Sequence, residues 1–360
     1  MEKNFKIKGG GPSGLAFSIY LLKNGLKCKI FERKGYPEKM SNRGFQVLEN
    51  YTKKEDSLNL FKELEVEDFF YYPLNKAIFW DFNYNFYNLF SKENFGYLVK
   101  RGNLKGSIDL ALLNKAKQMG LEISYESDNF DIIASGPFQP DGIAEERHFE
   151  TDERMRVWVL MDPKKIYGGY SYLFTFDGKG TFGCAITYNF KKIKEISSKC
   201  WEFFHKIEKI KVENLKIYHS FVNFYIPEKY EKDGKLFLGE AGGMQDFFLG
   251  LGIRLAIESG IIAGKSIIEN FSYSEKIKEN YLDFFKRSFV LRIIYERVPA
   301  FVFNFLMKKY SKRDGREVLF CLTNLRYLEK LFPFFSFLCK NKGICHHKIK
   351  PHFCRKLKRT

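Results

Sequence analysis

The sequence of 360 residues predicts an α/β protein in which an antiparallel β-lobe interrupts a domain of alternating strands and helices. Three observations lead to this fold class. A glycine-rich turn joins a strand to a helix within residues 5–22, strand-like runs follow one another within residues 155–190, and a second strand–glycine–helix pattern begins at Lys235. Residues 273–360 add a helical, basic segment at the end of the chain.

The first turn has the pattern G-x-G-x-x-G, formed by Gly9, Gly11 and Gly14, with Pro12 and Ser13 between them. The first glycine permits a tight turn, the second lets a ligand approach the backbone, and the third lets the helix pack against the strand. The free N–H groups and the positive dipole end of the helix N-terminus favour phosphate groups. We therefore interpret this turn as a dinucleotide-binding site of Rossmann type.

The residues that follow the turn supply the setting this motif requires. An apolar helical run covers residues 15–22, and Gly25 stands where a glycine would end the helix. Residues 26–30 then alternate in strand period and lead to Glu32 and Arg33, with Glu32 eighteen residues after Gly14. A carboxylate at the end of the second strand can accept hydrogen bonds from ribose hydroxyls.

The middle of the chain predicts a further α/β unit and then the β-lobe. We expect a helix over 105–119, a strand over 121–125, and a strand from Asp131 into the small-residue turn at Ser135 and Gly136. In the lobe, the sequence Asp-Gly-Lys-Gly at 177–180 predicts a hairpin turn between two strands, and residues 191–213 predict a covering helix. The aromatic stripe of this helix is typical of a packed core.

The second glycine segment follows a short buried strand at 236–238. It contains Gly239 and Glu240, and then Gly250, Gly252 and Ile253 at the start of a helix predicted over 255–268. With the first turn, it resembles the corresponding segments of FAD-dependent oxidoreductases of the aromatic-hydroxylase fold, and within them the geranylgeranyl reductase-like branch. Four blocks match in the family's order, at residues 9–32, 101–120, 131–136 and 236–260.

The resemblance implies FAD as the cofactor. The first turn would hold the ADP half, the segment at Gly239 would run along the ribityl chain and pyrophosphate, and the helix start at Gly252 would face the flavin pyrimidine edge. Arg43, Arg101 and Gly136 fall where the family approaches the cofactor. Two positions depart from the family, because Glu240 replaces the usual Asp and Ser135 replaces the Asp of another turn. A proline is also absent from residues 246–248.

The implied domains are a discontinuous FAD-binding domain (1–50, 95–137 and 235–272), a substrate lobe (51–94 and 138–234) and the C-terminal segment (273–360). The resemblance implies reduction of carbon–carbon double bonds in an isoprenoid or lipid-like substrate. The alternatives are a flavin-dependent monooxygenase or halogenase, and a membrane-attached flavoprotein without turnover. No second dinucleotide motif is visible, so NAD(P)H would bind transiently, or another electron donor would serve. The aromatic run at 69–87 suits either an apolar pocket or a packed core.

Composition and charge indicate where the chain acts. Seven scattered cysteines argue against a disulfide framework and for a reducing, cytoplasmic compartment. Residues 289–360 hold 17 Lys and Arg against 4 Asp and Glu, which is +13 of the net +17. Aromatic patches lie among these charges, so we expect docking on an anionic membrane surface. No groove-reading motif points to nucleic acid.

The tail contains six soft metal ligands, Cys339, Cys345, His346, His347, His352 and Cys354. Their spacing is not that of a familiar zinc finger or ribbon. We therefore predict no metal site, and expect a lipid-facing or disordered basic tail instead.

Overall fold

The computed structural model describes residues 4–32, 42–125, 129–138 and 140–338. Within these ranges the strands are, in chain order, β1 (Asn4–Lys8), β2 (Lys27–Phe31), β3 (Phe45–Glu49), β4 (Tyr71–Leu74), β5 (Lys76–Trp80), β6 (Phe86–Phe90), β7 (Gly96–Lys100), β8 (Glu122–Ser124), β9 (Ile132–Ile133), β10 (Gly142–Glu150), β11 (Arg156–Leu160), β12 (Tyr170–Phe176), β13 (Lys179–Ile186), β14 (Glu213–Val222), β15 (Glu231–Lys232) and β16 (Lys235–Phe237). The α-helices are α1 (Pro12–Lys23), α2 (Asn59–Glu63), α3 (Ile108–Gln118), α4 (Ile193–Ile207), α5 (Ile253–Glu269), α6 (Tyr273–Arg297), α7 (Ala300–Tyr310), α8 (Gly315–Thr323) and α9 (Arg326–Leu338).

The strands form three sheets. The first has the order β15-β16-β9-β1-β2-β8, and its strands are parallel except for the β15–β16 pair. The second has the order β14-β10-β13-β12-β11-β5-β6 and is antiparallel except for the β11–β5 pair. The third is a small antiparallel sheet, β3-β7-β4. The predicted combination of a parallel nucleotide-type sheet and an antiparallel lobe is therefore confirmed.

Local sequence signals fixed several elements as expected. The hairpin between β12 and β13 turns at Asp177 and Gly178, which both have positive φ, as a tight two-residue turn requires. Helix α1 begins with a proline, which suits the first helical position because its missing N–H is not needed there. Gly25, with φ of 78°, follows the end of the helix.

The helix expected over 191–213 is shorter, because α4 ends at Ile207. Residues Glu213–Val222 form β14 instead, the outer strand of the seven-stranded sheet, which pairs with β10 along almost its whole length. This pairing joins residues about 70 positions apart, so a local pattern could not reveal it. The aromatic stripe of α4 is core as predicted, with Phe203 and Phe204 buried against the sheet.

Among the described residues, three hydrophobic clusters hold these layers together. The largest lies between the six-stranded sheet and helices α1, α3, α5 and α6. A second lies between the seven-stranded sheet and α4, and a third between that sheet and the small three-stranded sheet. Helix α9 packs on α6, where the Phe289 and Phe332 ring centroids lie 5.2 Å apart. No helix in the described ranges has both the length and the apolar composition needed to cross a membrane.

Helices α1 and α5 meet where two glycines of α5 face α1. A Cβ atom on Gly260 would collide with the carbonyl oxygen of Ser13 and lie 2.9 Å from the backbone nitrogen of Phe17. A Cβ on Gly264 would press on the ring of Tyr20. The two backbones can approach this closely only because these positions have no side chain.

The α1–α5 contact makes a prediction for Gly260→Ala. An alanine inside a helix normally stabilises it by about 1 kcal/mol relative to glycine. Here the added methyl group meets rigid backbone, so we expect a net loss of about 1–3 kcal/mol in the free energy of unfolding. Urea denaturation measures it, with Glu269→Ala at the exposed end of the same helix as the control. A Gly260→Ala protein as stable as the wild type would show that the two helices are not in contact.

Candidate functional site

The first glycine turn leaves one open position at its centre. Gly9 has φ of 99°, and a Cβ there would strike the carbonyl of Ala134 at the end of β9. A Cβ on Gly14 would strike the carbonyl oxygen of Gly9. At Gly11, by contrast, an added Cβ meets nothing within 4 Å. Two glycines are thus required by the fold itself, whereas the third borders open space.

The N-cap residue of α1 is Gly11, which has no side chain and therefore cannot cap the N–H groups of the first helical turn. Beside the glycine turn, Glu32 Oε2 accepts a hydrogen bond of 3.2 Å from the backbone N–H of Gly10. The carboxylate predicted at the end of β2 therefore lies beside the turn, and the uncapped helix start is suited to an anion. Arg33, the other predicted residue there, lies outside the described residues.

The second glycine segment meets the first at the start of α1. Gly239, with φ of 56°, opens a short 3-10 turn over Gly239–Gly242. A Cβ on Gly239 would lie 2.5 Å from the hydroxyl oxygen of Ser13, and its backbone N–H donates to Ser259 Oγ at 2.9 Å. Segments more than 200 residues apart in sequence thus share one helix N-terminus. The small-residue turn after β9 ends beside them at Gly136, where an added Cβ would also meet open space.

Glu240 lies in this second segment. Its Oε1 accepts a hydrogen bond of 2.9 Å from the backbone N–H of Asn223. Burial raises the pKa of Glu240 to about 8, although this hydrogen bond and the nearby Arg43 act in the opposite direction. The carboxyl group is consequently protonated in the folded, ligand-free protein at neutral pH and can donate a hydrogen bond.

The two predicted arginines within the described residues, Arg43 and Arg101, differ in their surroundings. Arg101 is buried and forms a two-point ion pair with Asp109, with distances of 2.7 and 3.1 Å, and it also donates to Gln46 Oε1 at 2.8 Å. Burial would raise the pKa of Asp109, but Arg101 holds it below its usual value. Arg43 is exposed, and its charge also lowers the pKa of both Asp109 and Glu240. Arg43 therefore faces the same region as the glycine segments.

The loop before α5 is held by residues that the sequence did not single out. Gly250 has φ of 72°, and Gly252 precedes Ile253, the first residue of α5. The side-chain amide of Gln245 donates to the carbonyl of Gly250 at 2.5 Å and lies so close to Gly252 that a Cβ there would overlap it. Gln245 thus forms a wall at the N-terminus of α5.

A buried network of hydrogen bonds between the same loop, including Asp246, and residues of α6 fixes the loop. Asp246 accepts from the backbone N–H groups of Phe248 and Leu249, at 3.0 and 2.8 Å, and from the hydroxyl of Ser288. Arg292 donates to the carbonyl of Phe248 at 3.1 Å and forms an ion pair of 2.9 Å with Glu296. Burial lowers the pKa of Arg292 to about 10, so it stays charged at neutral pH. Ser288 and Arg292 lie about 40 residues after the loop, and no local motif marks them.

Known proteins share this fold at low sequence identity. No protein-family model and no curated protein sequence matches the chain. Among solved structures, a geranylgeranyl bacteriochlorophyll reductase-like protein from Thermoplasma acidophilum has a TM-score of 0.69 at 15% identity and covers 91% of this chain and 98% of its own. A p-nitrophenol 4-monooxygenase from Pseudomonas putida has a TM-score of 0.62 at 13% identity (90% and 99% covered), and a flavin-dependent brominase 0.61 at 16% (92% and 98%). The chain therefore has the fold of FAD-dependent oxidoreductases.

The half-buried acid Glu240 predicts how stability depends on pH in the ligand-free protein. Its pKa is raised on folding, so between about pH 4.5 and 8 the folded protein holds a proton that the unfolded chain releases. Stability is therefore lost as the pH rises through this range. Glu240→Gln cannot ionise, so we expect its stability relative to wild type to increase with pH, by up to about 1.4 kcal/mol per unit, and to level off above pH 8.

Urea denaturation at pH 5, 6, 7 and 8 measures this difference, and Glu228→Gln, at an exposed glutamate, is the control. If Glu240→Gln and wild type changed in parallel over the whole range, the carboxyl would be ionised in the folded protein, contrary to this description.

Proposed function

We propose that the chain is an FAD-dependent oxidoreductase. The observation that carries the proposal is the meeting of two glycine segments at the N-terminus of α1, where Gly11 borders open space and Gly239 packs on Ser13. An uncapped helix start with open space before it suits a pyrophosphate. The solved structures of the same fold support the assignment, because they include a monooxygenase and a flavin-dependent brominase.

The described residues fit the parts of FAD in order along the site. The Gly9–Gly14 turn and Glu32 would bind the ADP half. Glu240, protonated at neutral pH, would donate a hydrogen bond to a ribityl hydroxyl or a pyrophosphate oxygen. Its side chain is one methylene longer than the aspartate usual in the family. The helix start at Gly250, Gly252 and Ile253 would face the flavin, and Arg43 would supply positive charge. Arg101 would position its segment through Asp109.

Bound FAD would supply hydride and electron transfer, and the protein would supply position and electrostatics. The N-terminal dipole of α5 would stabilise negative charge beside it. Asp246, Ser288 and Arg292 hold the backbone that presents these N–H groups, so the geometry is set before any ligand arrives. We assign these roles to residues 1–50, 95–137 and 235–272, and the substrate to residues 51–94 and 138–234.

We further propose that the reaction reduces carbon–carbon double bonds of an isoprenoid or lipid-like substrate. Support comes from the likeness to a geranylgeranyl bacteriochlorophyll reductase-like protein. It also comes from an aromatic group at the junction of the two antiparallel sheets, where Phe45, Phe70 and Tyr72 surround Phe176 at centroid distances of 5.0–6.4 Å. Apolar, aromatic linings are typical of sites for small apolar ligands. The electron donor would be NAD(P)H bound transiently, or another reductant.

A flavin-dependent monooxygenase or halogenase is the second candidate. The brominase and the p-nitrophenol monooxygenase share the fold at TM-scores of 0.61 and 0.62, close to that of the reductase-like protein. Incorporation of oxygen from labelled O₂ into a product would favour this candidate. Stoichiometric consumption of reductant without oxygen would favour the reductase.

We also propose that the C-terminal helices contact a membrane surface, at its cytosolic face. On α7, Phe301 and Phe305 are 76% and 63% exposed, and Lys308 and Lys309 follow on the exposed side of the same helix. On α9, Tyr327 and Phe334 are exposed as well. Aromatic groups among lysines suit insertion between the head groups of anionic lipids. The soft metal ligands of the tail lie outside the described residues.

The cofactor assignment predicts the effect of Gly11→Ala. In the ligand-free protein the methyl group enters open space, so we expect stability close to that of the wild type. With FAD present, the methyl group occupies the place of the pyrophosphate, and we expect affinity to fall at least about tenfold. Titration with FAD, followed by absorbance and flavin fluorescence, measures this.

The same spectra test the proposed function. The wild type should bind flavin that dithionite bleaches under anaerobic conditions. A folded wild-type protein that cannot be reconstituted with FAD would overturn the assignment. Bound flavin that no donor can reduce would instead indicate a binding protein without turnover.

The membrane proposal predicts that the protein co-sediments with vesicles of phosphatidylglycerol and phosphatidylcholine and is released by 1 M salt, which screens the charges. The double variant Phe301→Ser, Phe305→Ser should bind several-fold less. Phe86→Ser, at an exposed aromatic residue of the substrate lobe, is the control. Equal binding to vesicles of phosphatidylcholine alone, or none to either, would contradict an electrostatic membrane contact.

A further inference from the structure

A cleft of about 450 Å³ opens on the outer side of the substrate lobe, beside helix α4. Ile196 and Phe203 of α4 line it from one side. Phe82 and Tyr84, in the turn between β5 and β6, line it together with the loop at residues 164–167. Sites for small ligands have volumes of about 300–1,000 Å³, so the cleft is large enough for one.

The cleft is separate from the site assigned to FAD. Helix α4 packs on one face of the seven-stranded sheet, whereas Leu249 and Leu251, in the loop before α5, pack with residues of the other face. The sheet therefore lies between the cleft and the place proposed for the flavin. A ligand in the cleft is consequently out of reach of hydride transfer with that flavin.

Two tyrosines at the edge of the cleft have a left-handed backbone conformation, with φ of 62° at Tyr84 and 45° at Tyr167. Bulky residues adopt this conformation only at a cost, and such residues cluster at ligand-binding sites. The Tyr84 ring stacks on Phe203, with centroids 4.8 Å apart and planes at 14°. Because Tyr84 is still 48% exposed, its ring offers a flat aromatic surface to a ligand.

Positive charge predominates among the ionisable side chains that line the cleft, which are Lys164, Lys165, Lys199, Lys206, Glu195 and Glu202. Glu195 accepts hydrogen bonds from Lys192 and Lys199, at 2.7 and 2.8 Å, and these two lysines lower its pKa to about 2. Its negative charge is therefore already balanced. Lys164 and Lys206 are exposed and have no ion-pair partner among the described residues, so both can bind an anion.

We propose that this cleft binds a nucleotide, with the base stacked on Tyr84 and the phosphate groups bound by Lys164 and Lys206. Aromatic side chains stack on nucleic-acid bases of any kind, and lysine binds phosphate as a point charge. A phosphate alone would leave the aromatic surface unused, and an uncharged ring would leave the lysines unused. The inference does not depend on the proposed function, because every residue that lines the cleft lies outside the segments assigned to FAD.

The test uses ADP and isothermal titration calorimetry on protein that has been reconstituted with FAD and freed of excess cofactor. We expect one ADP per chain, with a Kd of about 1 mM or tighter. Ribose 5-phosphate lacks the base and adenosine lacks the phosphates, so each should bind at least about tenfold more weakly.

Two pairs of variants examine the aromatic surface and the lysines separately. Tyr84→Asn removes the ring but keeps the turn, since asparagine tolerates the left-handed conformation, and we expect ADP affinity to fall at least about fivefold. Tyr84→Phe keeps the ring and should bind as the wild type does. The double variant Lys164→Ser, Lys206→Ser should lose at least about tenfold. Its matched control is Lys191→Ser, Lys194→Ser, which removes the same charge from exposed positions that do not line the cleft.

Three results would overturn the proposal: no binding of ADP to the FAD-loaded protein, wild-type affinity in Tyr84→Asn, or equal losses in the two double lysine variants. The last result would mean that net charge alone attracts ADP. Gly11→Ala without FAD gives a second measurement, because ADP bound at the first glycine turn is lost there, whereas ADP in the cleft is retained. A wild type that does not bind FAD would count against the proposed function alone, and the cleft is then tested in Gly11→Ala.

Discussion

Close backbone contact at the N-terminus of α1 is the constraint on which the rest of the structure depends. Gly14 lies on the first turn, Gly239 on Ser13, and Gly260 on the backbone of α1, each at a distance that a side chain would prevent. These contacts fix α1 against α5, and the first glycine turn against the turn at Gly239–Gly242. They bring the uncapped N-terminus of α1 and the Gly239–Gly242 turn to one place, and the proposed binding of an extended, negatively charged ligand depends on this arrangement.

Buried polar groups then fix what the glycines leave free. The loop before α5 contains Gly250 and would be adaptable by itself, but the side chains of Asp246 and Ser288 accept hydrogen bonds from the backbone N–H groups of residues 247–249. Arg292 donates both to the carbonyl of Phe248 in this loop and to the carbonyl of Gly168 in the lobe of antiparallel strands. It therefore connects the loop to the lobe. Such a network stabilises a single arrangement, because removing one member leaves the others buried without partners.

The sequence predicted the parts of this architecture that depend on neighbouring residues. Glycine spacing, strand period and the proline at the start of α1 were enough to locate both glycine segments, and the Asp177–Gly178 pair located a hairpin. The pairing of β14 with β10, the pairing of β3 with β7 and the roles of Ser288 and Arg292 depend on contacts across 40 or more residues. The run Glu145-Glu146-Arg147-His148 places two ionisable side chains on each face of β10, because side chains alternate along a strand.

The packing of α6 bears on how the chain can be divided. This helix buries Phe285, Phe289 and Ile293 in the same core as the parallel sheet, and on the same side it supplies Ser288 to the loop before α5. Cutting the chain after residue 272 would remove both the apolar cover of that core and the partner of a buried carboxylate. The nucleotide-type half is therefore not a separable module. Its smallest self-sufficient form includes residues from both ends of the described chain, and any fusion or truncation has to leave α6 in place.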